Sequence, residues 1–316
     1  MFLSMNGDVW KDIIRGVIMT SLVFVLALYI PILGFIGLLF LPLPVCYCRY
    51  KQDRNAAGLM AAVSLMIMMI MMEGFSFDLA FFAGLLLLGF ILGDSMARGL
   101  SVERTILYPS AAVTGAGVML LLIFSIYSHT NFGDLIQQYV KQNLQMTTDL
   151  YRQMGMPEKT LQTLSESMQT IQDTVTRIIP GIVVMSVLFI TWINLLLARS
   201  LARLRGLTCP DIGDLTLWKS PEVLVWGAIA GGCLLLMPVS FLKITGLNII
   251  LILIMIYFFH GISVVSFYFE KRKLPKPVRI ILYGLIGIQQ VFSILVVGLG
   301  FFDMWLDFRK IKQAKS

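Results

Sequence analysis

Long apolar runs, rather than a steady alternation of apolar and polar positions, organise this chain. A bilayer-crossing helix needs ~20 mostly apolar residues. Runs of suitable length cover 12–30, 31–48, 55–72, 77–97, 105–127, 178–198, 222–241, 246–268 and 278–302, which predicts nine helical segments. One stretch departs from the pattern: 128–177 is too polar for lipid. Within it Leu161, Leu164, Met168, Ile171, Val175 and Ile178 recur at steps of three and four, the apolar stripe of a packed helix. That stripe runs directly into the sixth segment. Upstream, Asn131 with Asp134 three residues on resembles a capping arrangement. "GMPEKT" then stops one helix and begins another, with Pro157 suited to a first helical position. The prediction is an extracytoplasmic helical hairpin whose first arm offers Ile136, Val140, Leu144, Tyr151 and Met154 to the stripe of the second.

The expected fold class is therefore all-α: a polytopic transmembrane helical bundle of eight or nine spans. Three parts are expected: 1–127 with five spans, 128–177 with the hairpin, and 178–316 with the remaining spans and a basic tail. Composition agrees, since the chain of 316 residues is 58% hydrophobic and only 14% charged. Mean hydropathy is +0.84. Soluble domains carry about a quarter charged residues, so lipid must be the solvent here. The N-terminal apolar run lacks a small-residue cleavage site and continues into further apolar chain, so it reads as a retained span.

Lys and Arg set the orientation. With the N-terminus in the cytoplasm, the inside connections hold Lys11 and Arg15, the Arg49–Arg54 group, Arg98 and Arg104, the Arg199–Lys219 group and the Lys271–Arg279 group. The outside connections are poorer in base, and "EGFSFD" between the third and fourth segments is acidic. A ninth span would leave Arg309, Lys310, Lys312 and Lys315 outside. The alternative is a re-entrant 278–302 broken at "GIQQ"; hydropathy favours a simple span. The bacterial inner membrane is the expected location.

Local chemistry adds a few candidates. Pro42 and Pro44 lack N–H groups, so the carbonyls of Leu38 and Phe40 lose their helical donors. Such a break survives in lipid only where protein or a polar ligand covers it. A kinked helix end is the simple reading, and a distorted helix lining a substrate cavity the functional one. Gly89 with Gly93 and Gly227 with Gly231 are four apart and suit close helix packing. "LMIMMIMME" reads as lipid-facing methionine. Cys46, Cys48 and Cys209 lack histidine neighbours, so no metal or other cofactor is expected.

Deep polar residues point better to function. Asn194, His260, Gln289 and Gln290 are the candidates, with Pro42 and Pro44, for substrate binding. At ~1.5 Å per residue, Asn194, His260 and the glutamines lie about 6, 12 and 16 Å from the inner ends of their helices. They suit one polar layer, or simple interhelical hydrogen bonds. Histidine is the side chain that changes charge near neutral pH, but His260 has no carboxylate partner within the same apolar segments. The chain has no G-x-x-x-x-G-K-[ST], H-E-x-x-H or G-x-S-x-G, which disfavours a built-in ATPase and a hydrolase. No enzyme activity and no nucleic-acid partner are expected.

Five motifs in order carry a resemblance: "LPLPV", "NLLLARSLARLRG", "LTLWKSPEVLVWG", "YFFHGISVVSFYFEKRKLP" and "GFFDMWLDFRK". Together they resemble the YybS-like bacterial membrane proteins, a family of unknown function, over nearly the whole chain. That family implies a glutamine more often than His260 before the glycine of "FHG". The first six segments also look like the substrate-binding subunit of energy-coupling-factor vitamin transporters, with a proline-containing second segment before a basic turn. "RGVIMTSLVFVLALY" departs by lacking the A-x-x-x-A that meets the coupling subunit in those transporters.

The leading expectation is a membrane protein that binds or transports a small molecule without its own ATPase, with the lipid bilayer, a small-molecule ligand and a coupling or partner protein as partners. The alternative is a non-transporting scaffold or regulator that recruits partners through the hairpin or basic loops. A deep wet cavity at Asn194, His260 or Gln289 favours the first. A packed bundle with an exposed apolar hairpin face favours the second.

Overall fold

The computed structural model describes residues 7–72, 74, 77–129, 131–207 and 214–310. Its elements are α1 (Gly7–Tyr29), α2 (Pro31–Leu38), α3 (Pro42–Lys51), α4 (Arg54–Met71), α5 (Phe77–Ala97), α6 (Val102–Ser128), α7 (Phe132–Gln153), α8 (Glu158–Leu204), α9 (Leu224–Leu236), α10 (Ser240–Lys271), α11 (Lys276–Ile288) and α12 (Gln290–Leu306). A 3₁₀ turn, Leu215–Leu217, precedes α9. Among the described residues α1, α4, α5, α6, α8 and α10 are each long and apolar enough to cross a membrane. The fold is an all-α, polytopic membrane bundle. Cys209, Lys312 and Lys315 lie outside the described residues.

Three of the nine apolar runs are realised as broken or shortened helix. The run at 31–48 becomes α2 and α3, because Pro42 and Pro44 withhold two donors. The chain tightens there instead: Leu41 N–H donates to Leu38 at 3.3 Å and Leu43 N–H to Phe40 at 3.0 Å. The run at 222–241 yields only the 13-residue α9, which stops just before Pro238. The run at 278–302 is not the straight span its hydropathy predicts. It bends by 99° between α11 and α12. The bend falls within "GIQQ", where Gln289 adopts extended backbone (φ −94°, ψ 110°). Ser293 Oγ donates to the Ile286 carbonyl at 2.5 Å, so the opened turn keeps a partner.

The chain forms two compact units. The first contains residues 1–117 and 186–218. Its core packs Phe24, Leu41, Val45, Met60, Met68 and Phe82, all buried. Phe24 and Phe82 meet edge to face at 4.7 Å. The expected small-residue seam in α5 is real: Gly89 faces the Pro42 backbone and Gly93 the Cys46 carbonyl, so α3 lies directly on α5. Of the methionine run, Met66, Met69 and Met71 are exposed, while Met68 turns inward.

The second unit contains residues 118–185 and 219–316. It holds the hairpin of α7 and the start of α8, turned at Gly155 with φ +73°. A shallow groove between the arms is lined by Tyr139, Val140, Asn143, Leu144, Thr147, Val175 and Ile179. The stripe residues Leu161, Leu164, Met168, Ile171, Val175 and Ile178 are half-buried, and Val140 is buried. α8 passes through Pro180 without interruption. α9 meets α10 where Gly231 and Gly246 face each other. α10 meets α12 where Gly261 faces the Val296 carbonyl and Gly300 the Tyr257 carbonyl.

Candidate functional site

The glycine contact between α10 and α12 brings a polar centre into the second unit. α10 presents His260 and Ser263, one turn apart on the same face. α12 contributes Asp303 from its last turn. Asp307 then takes the left-handed conformation (φ 40°) and reverses the chain, so that Arg309 returns to the same place. The segment before α9 adds Lys219 and Ser220.

The geometry is tight. His260 Nε2 lies 3.1 Å from Asp303 Oδ2. Arg309 Nη2 donates to that same carboxylate oxygen at 2.8 Å and lies 3.0 Å from His260 Nε2. Arg309 Nη1 donates to Ser263 Oγ at 2.9 Å. On the other side of the ring, Ser220 Oγ and His260 Nδ1 are 3.0 Å apart. Lys219 donates to Asp307 at 2.5 Å beside this group. His260 and Asp303 are fully buried, and Arg309, Ser220 and Ser263 are at most 5% exposed. Asp303 Oδ1 is buried with no hydrogen-bond partner.

Removing one partner of a buried ion pair strands the other, at about 3–5 kcal/mol. A centre with Asp303, Arg309 and an ionisable imidazole is therefore costly to assemble in an apolar bundle. Residues of this type inside membrane segments mark proton relays and ion or substrate paths. The group can hold a proton at His260 and an anionic charge at Asp303.

The other sequence candidates lie elsewhere. Asn194 is buried in the first unit, where Nδ2 donates to the carbonyls of Leu39 and Ile190, both at 2.8 Å. It thus sits at the proline break beside Pro42 and serves the backbone there. Gln289 and Gln290 are exposed at the bend between α11 and α12 and are not part of the His260 centre. His260 does have a carboxylate, contrary to the expectation from its own segment. The sequence reading missed Asp303 and Arg309 because they sit in "FFDMWLDFRK", which looks like a solvated helix end. The available signal was Asp303, an acid set directly against the apolar run that ends at Phe302, with a base six residues on.

A second charged cluster lies in the first unit. Asp94 accepts from Arg49 at 2.5 Å and from Arg54 at 2.7 Å, and pairs with Arg98 at 2.6 Å. It joins the basic turn after α3 to the end of α5. Asp12 of α1 accepts from Lys51 at 2.6 Å and Gln52 at 2.7 Å in the same way.

Fold and composition define a multi-pass helical membrane protein with an ionisable centre in its second unit. The chain matches the family described as "Predicted membrane protein (DUF2232)" over residues 18–304, and it belongs to that family. A relative, the uncharacterized protein YybS of Bacillus subtilis (strain 168), is 25% identical over 313 residues, covering 96% of this chain and 99% of that protein. No solved structure matches the chain.

Proposed function

We propose that the protein binds or transports a small molecule in a bacterial cytoplasmic membrane, without an ATPase of its own. The observation that supports this reading is the buried His260–Asp303–Arg309 group. Its assembly in an apolar bundle costs stability that hydrophobic packing at the same volume would not. Such groups recur where ions, protons or polar substrates cross. In this reading the N-terminus is cytoplasmic and the α7–α8 hairpin faces outward. A separate coupling protein supplies any ATP-driven step.

Native mass spectrometry of the protein purified in mild detergent tests the reading, together with uptake and proton-flux assays in proteoliposomes. A non-lipid molecule that co-purifies with the wild type and is lost in Asp303→Asn is the expected result. If neither a bound molecule nor any flux above empty vesicles is found, the reading fails.

The second reading, a scaffold or regulator, is favoured by a different observation. Tyr139, Met146, Leu150 and Met154 leave an exposed apolar flank on α7. Crosslinking in cells from Met146, with the partner identified by mass spectrometry, tests it. Labelling only by lipid would count against it.

A further inference from the structure

The C-terminal turn aims a guanidinium at an imidazole nitrogen. A guanidinium has only donors. Arg309 Nη2, 3.0 Å from His260 Nε2, can bond that nitrogen only while it keeps its lone pair. The neutral ring then carries its proton on Nδ1 and donates to Ser220 Oγ, 3.0 Å away. A doubly protonated ring has an N–H at both positions. Its Nε2–H turns to Asp303 Oδ2 at 3.1 Å, and the Arg309 contact becomes N–H against N–H between two cations.

The charges around the ring sharpen this competition. α12 contributes Asp303, the turn after it Asp307 and Arg309, and the segment before α9 Lys219, which is bonded to Asp307. On α10 itself Tyr257 and Ser263 are one turn away and neutral. Two carboxylates thus face two cations, and a neutral His260 completes a balanced group. One more positive charge unbalances it where the surroundings screen poorly.

We propose that His260 is a proton-binding site at which a proton and the Arg309 guanidinium compete for Nε2, so that protonation breaks the Arg309–Nε2 hydrogen bond, sets a second cation against the guanidinium and loosens the C-terminal turn Asp307–Lys310. The proton comes from solvent and bonds to the Nε2 lone pair; no covalent bond breaks, the hydrogen bond from Arg309 Nη2 to Nε2 is lost, and those to Asp303 Oδ2 and Ser263 Oγ remain. The turn is suited to move: Asp307 and Lys310 both hold left-handed backbone, φ 40° and 52°. Besides Arg309, the Lys219–Asp307 pair, the Asp307 N–H bonded to the Asp303 carbonyl at 3.1 Å and a bond from Tyr268 Oη to the Phe308 carbonyl at 2.9 Å help to hold it. The proposal rests on the centre alone and stands whether or not the protein transports anything.

The chain has only two histidines, so His129→Gln leaves His260 as a single reporter. In nanodiscs, ¹⁵N NMR of the ring is followed from high to low pH. Spin labels at Arg272 and Lys310, on a cysteine-free background, report the turn by pulsed EPR. The expected result is an Nδ1–H tautomer at high pH, a doubly protonated ring at low pH, and a label distance that broadens as the ring titrates. His260→Gln keeps an acceptor for Arg309 at every pH and should hold the distance narrow throughout. An Nε2–H tautomer at high pH overturns the proposal. So does a ring that titrates without any change in distance, or the same broadening in His260→Gln. If that variant does not fold, the tautomer and the wild-type distance still decide.

Discussion

Asn194 Nδ2 donates to the carbonyl of Leu39 at 2.8 Å across 155 residues of chain. The contact answers a local defect. Pro42 and Pro44 prevent α2 from running on into α3. The carbonyls of Leu38 and Phe40 are taken by the tightened turn, which diverts Leu43 N–H from Leu39 to Phe40. The Leu39 carbonyl is then reached by a side chain instead.

Truncating that side chain should be felt. A buried carbonyl left without a donor costs about 1–3 kcal/mol. Interhelical hydrogen bonds in membranes average only about 0.6 kcal/mol, because alternatives are found in the unfolded state. The Leu39 carbonyl has its helical donor diverted, so Asn194→Ala should fall in the upper range and lower the melting temperature in detergent. With Pro42→Ala and Pro44→Ala present, a regular turn can supply Leu43 N–H to Leu39, and the same truncation should cost less. Equal losses in both backgrounds would show that Asn194 does something other than close the break.

The polar centre depends on the close approach of α10 and α12. A methyl group at Gly261 would run into the Val296 carbonyl, and one at Gly300 into the Tyr257 carbonyl and the Gly261 amide. These are backbone atoms that cannot step aside as a flexible side chain would. Gly261→Ala or Gly300→Ala should therefore separate the helices and scatter His260 from Asp303. Overpacking of this kind costs about 1–3 kcal/mol. Gly298 has open space around its Cβ position, and Gly298→Ala should be close to neutral. Detergent melting curves of the three variants check the contrast.

The fold was legible where it rests on long apolar runs, and less so where it rests on partners distant in sequence. The hairpin break at Gly155 and the α3–α5 glycine seam follow from local chemistry. The 99° bend at Gln289 was visible as an alternative at "GIQQ", but a hydropathy window averages over one extended residue. Arg309 is the clearest failure. Counted as a free basic charge it opposes a ninth span, yet it is buried against Asp303 at 2.8 Å and is not the solvated tail charge that such a count assumes. Sequence spacing alone could not show that the turn at Asp307 folds it back. Among the site candidates, Asn194 was singled out for its polarity in an apolar helix, whereas the backbone atom it serves was not foreseeable.

Asp94 should be harder to replace than any of its exposed partners. Its side chain and that of Arg49 are each 13% exposed, whereas Arg54 and Arg98 are 54% and 58% exposed. Losing Arg54 or Arg98 removes only a solvated ion pair, which water and salt screen and which contributes little to stability. Losing Asp94 leaves three guanidinium groups facing each other, with Arg49 largely covered. Asp94→Asn should lower the melting temperature more than Arg54→Ala and Arg98→Ala combined, and added salt should narrow the gap by screening the repulsion. Additive effects of similar size would mean that the cluster is not a unit.

The hairpin should open when its buried contact is charged. Val140 is 4% exposed and lines the groove with Val175 and Ile179. Val140→Asp places a carboxylate among these aliphatic groups. Leu164→Asp with Met168→Asp does the same to the stripe on α8. Both changes should raise protease cleavage near Gly155, while Met146→Asp, exposed on α7 and outside the groove, should not. Cleavage unchanged by Val140→Asp would mean that the arms are held by something other than this groove.

Asn248 provides a test at the point where the hairpin's second arm enters the apolar run. Pro180 withholds the donor for the carbonyl one turn earlier, so α8 is weakest there. Asn248 of α10 engages both sides of the next turn. Its Oδ1 accepts from Gly181 N–H at 2.6 Å, and its Nδ2 donates to the carbonyls of Arg177 at 3.0 Å and Ile244 at 2.8 Å. In Asn248→Ala the Gly181 amide and the Arg177 carbonyl can close on each other as an ordinary helical pair, so the cost should be modest. Asn248→Asp, nearly the same shape, keeps the acceptor for Gly181 but sets a carboxylate oxygen against two carbonyl oxygens. It should therefore destabilise more than the alanine, although it changes fewer atoms. Gly181→Ala should also destabilise, because its methyl would lie 2.7 Å from Asn248 Oδ1 and 3.1 Å from the Asn248 backbone. Hydrogen exchange of the Gly181 amide and melting in detergent give the order. An aspartate variant as stable as the wild type would show that the amide nitrogen contributes nothing to this junction.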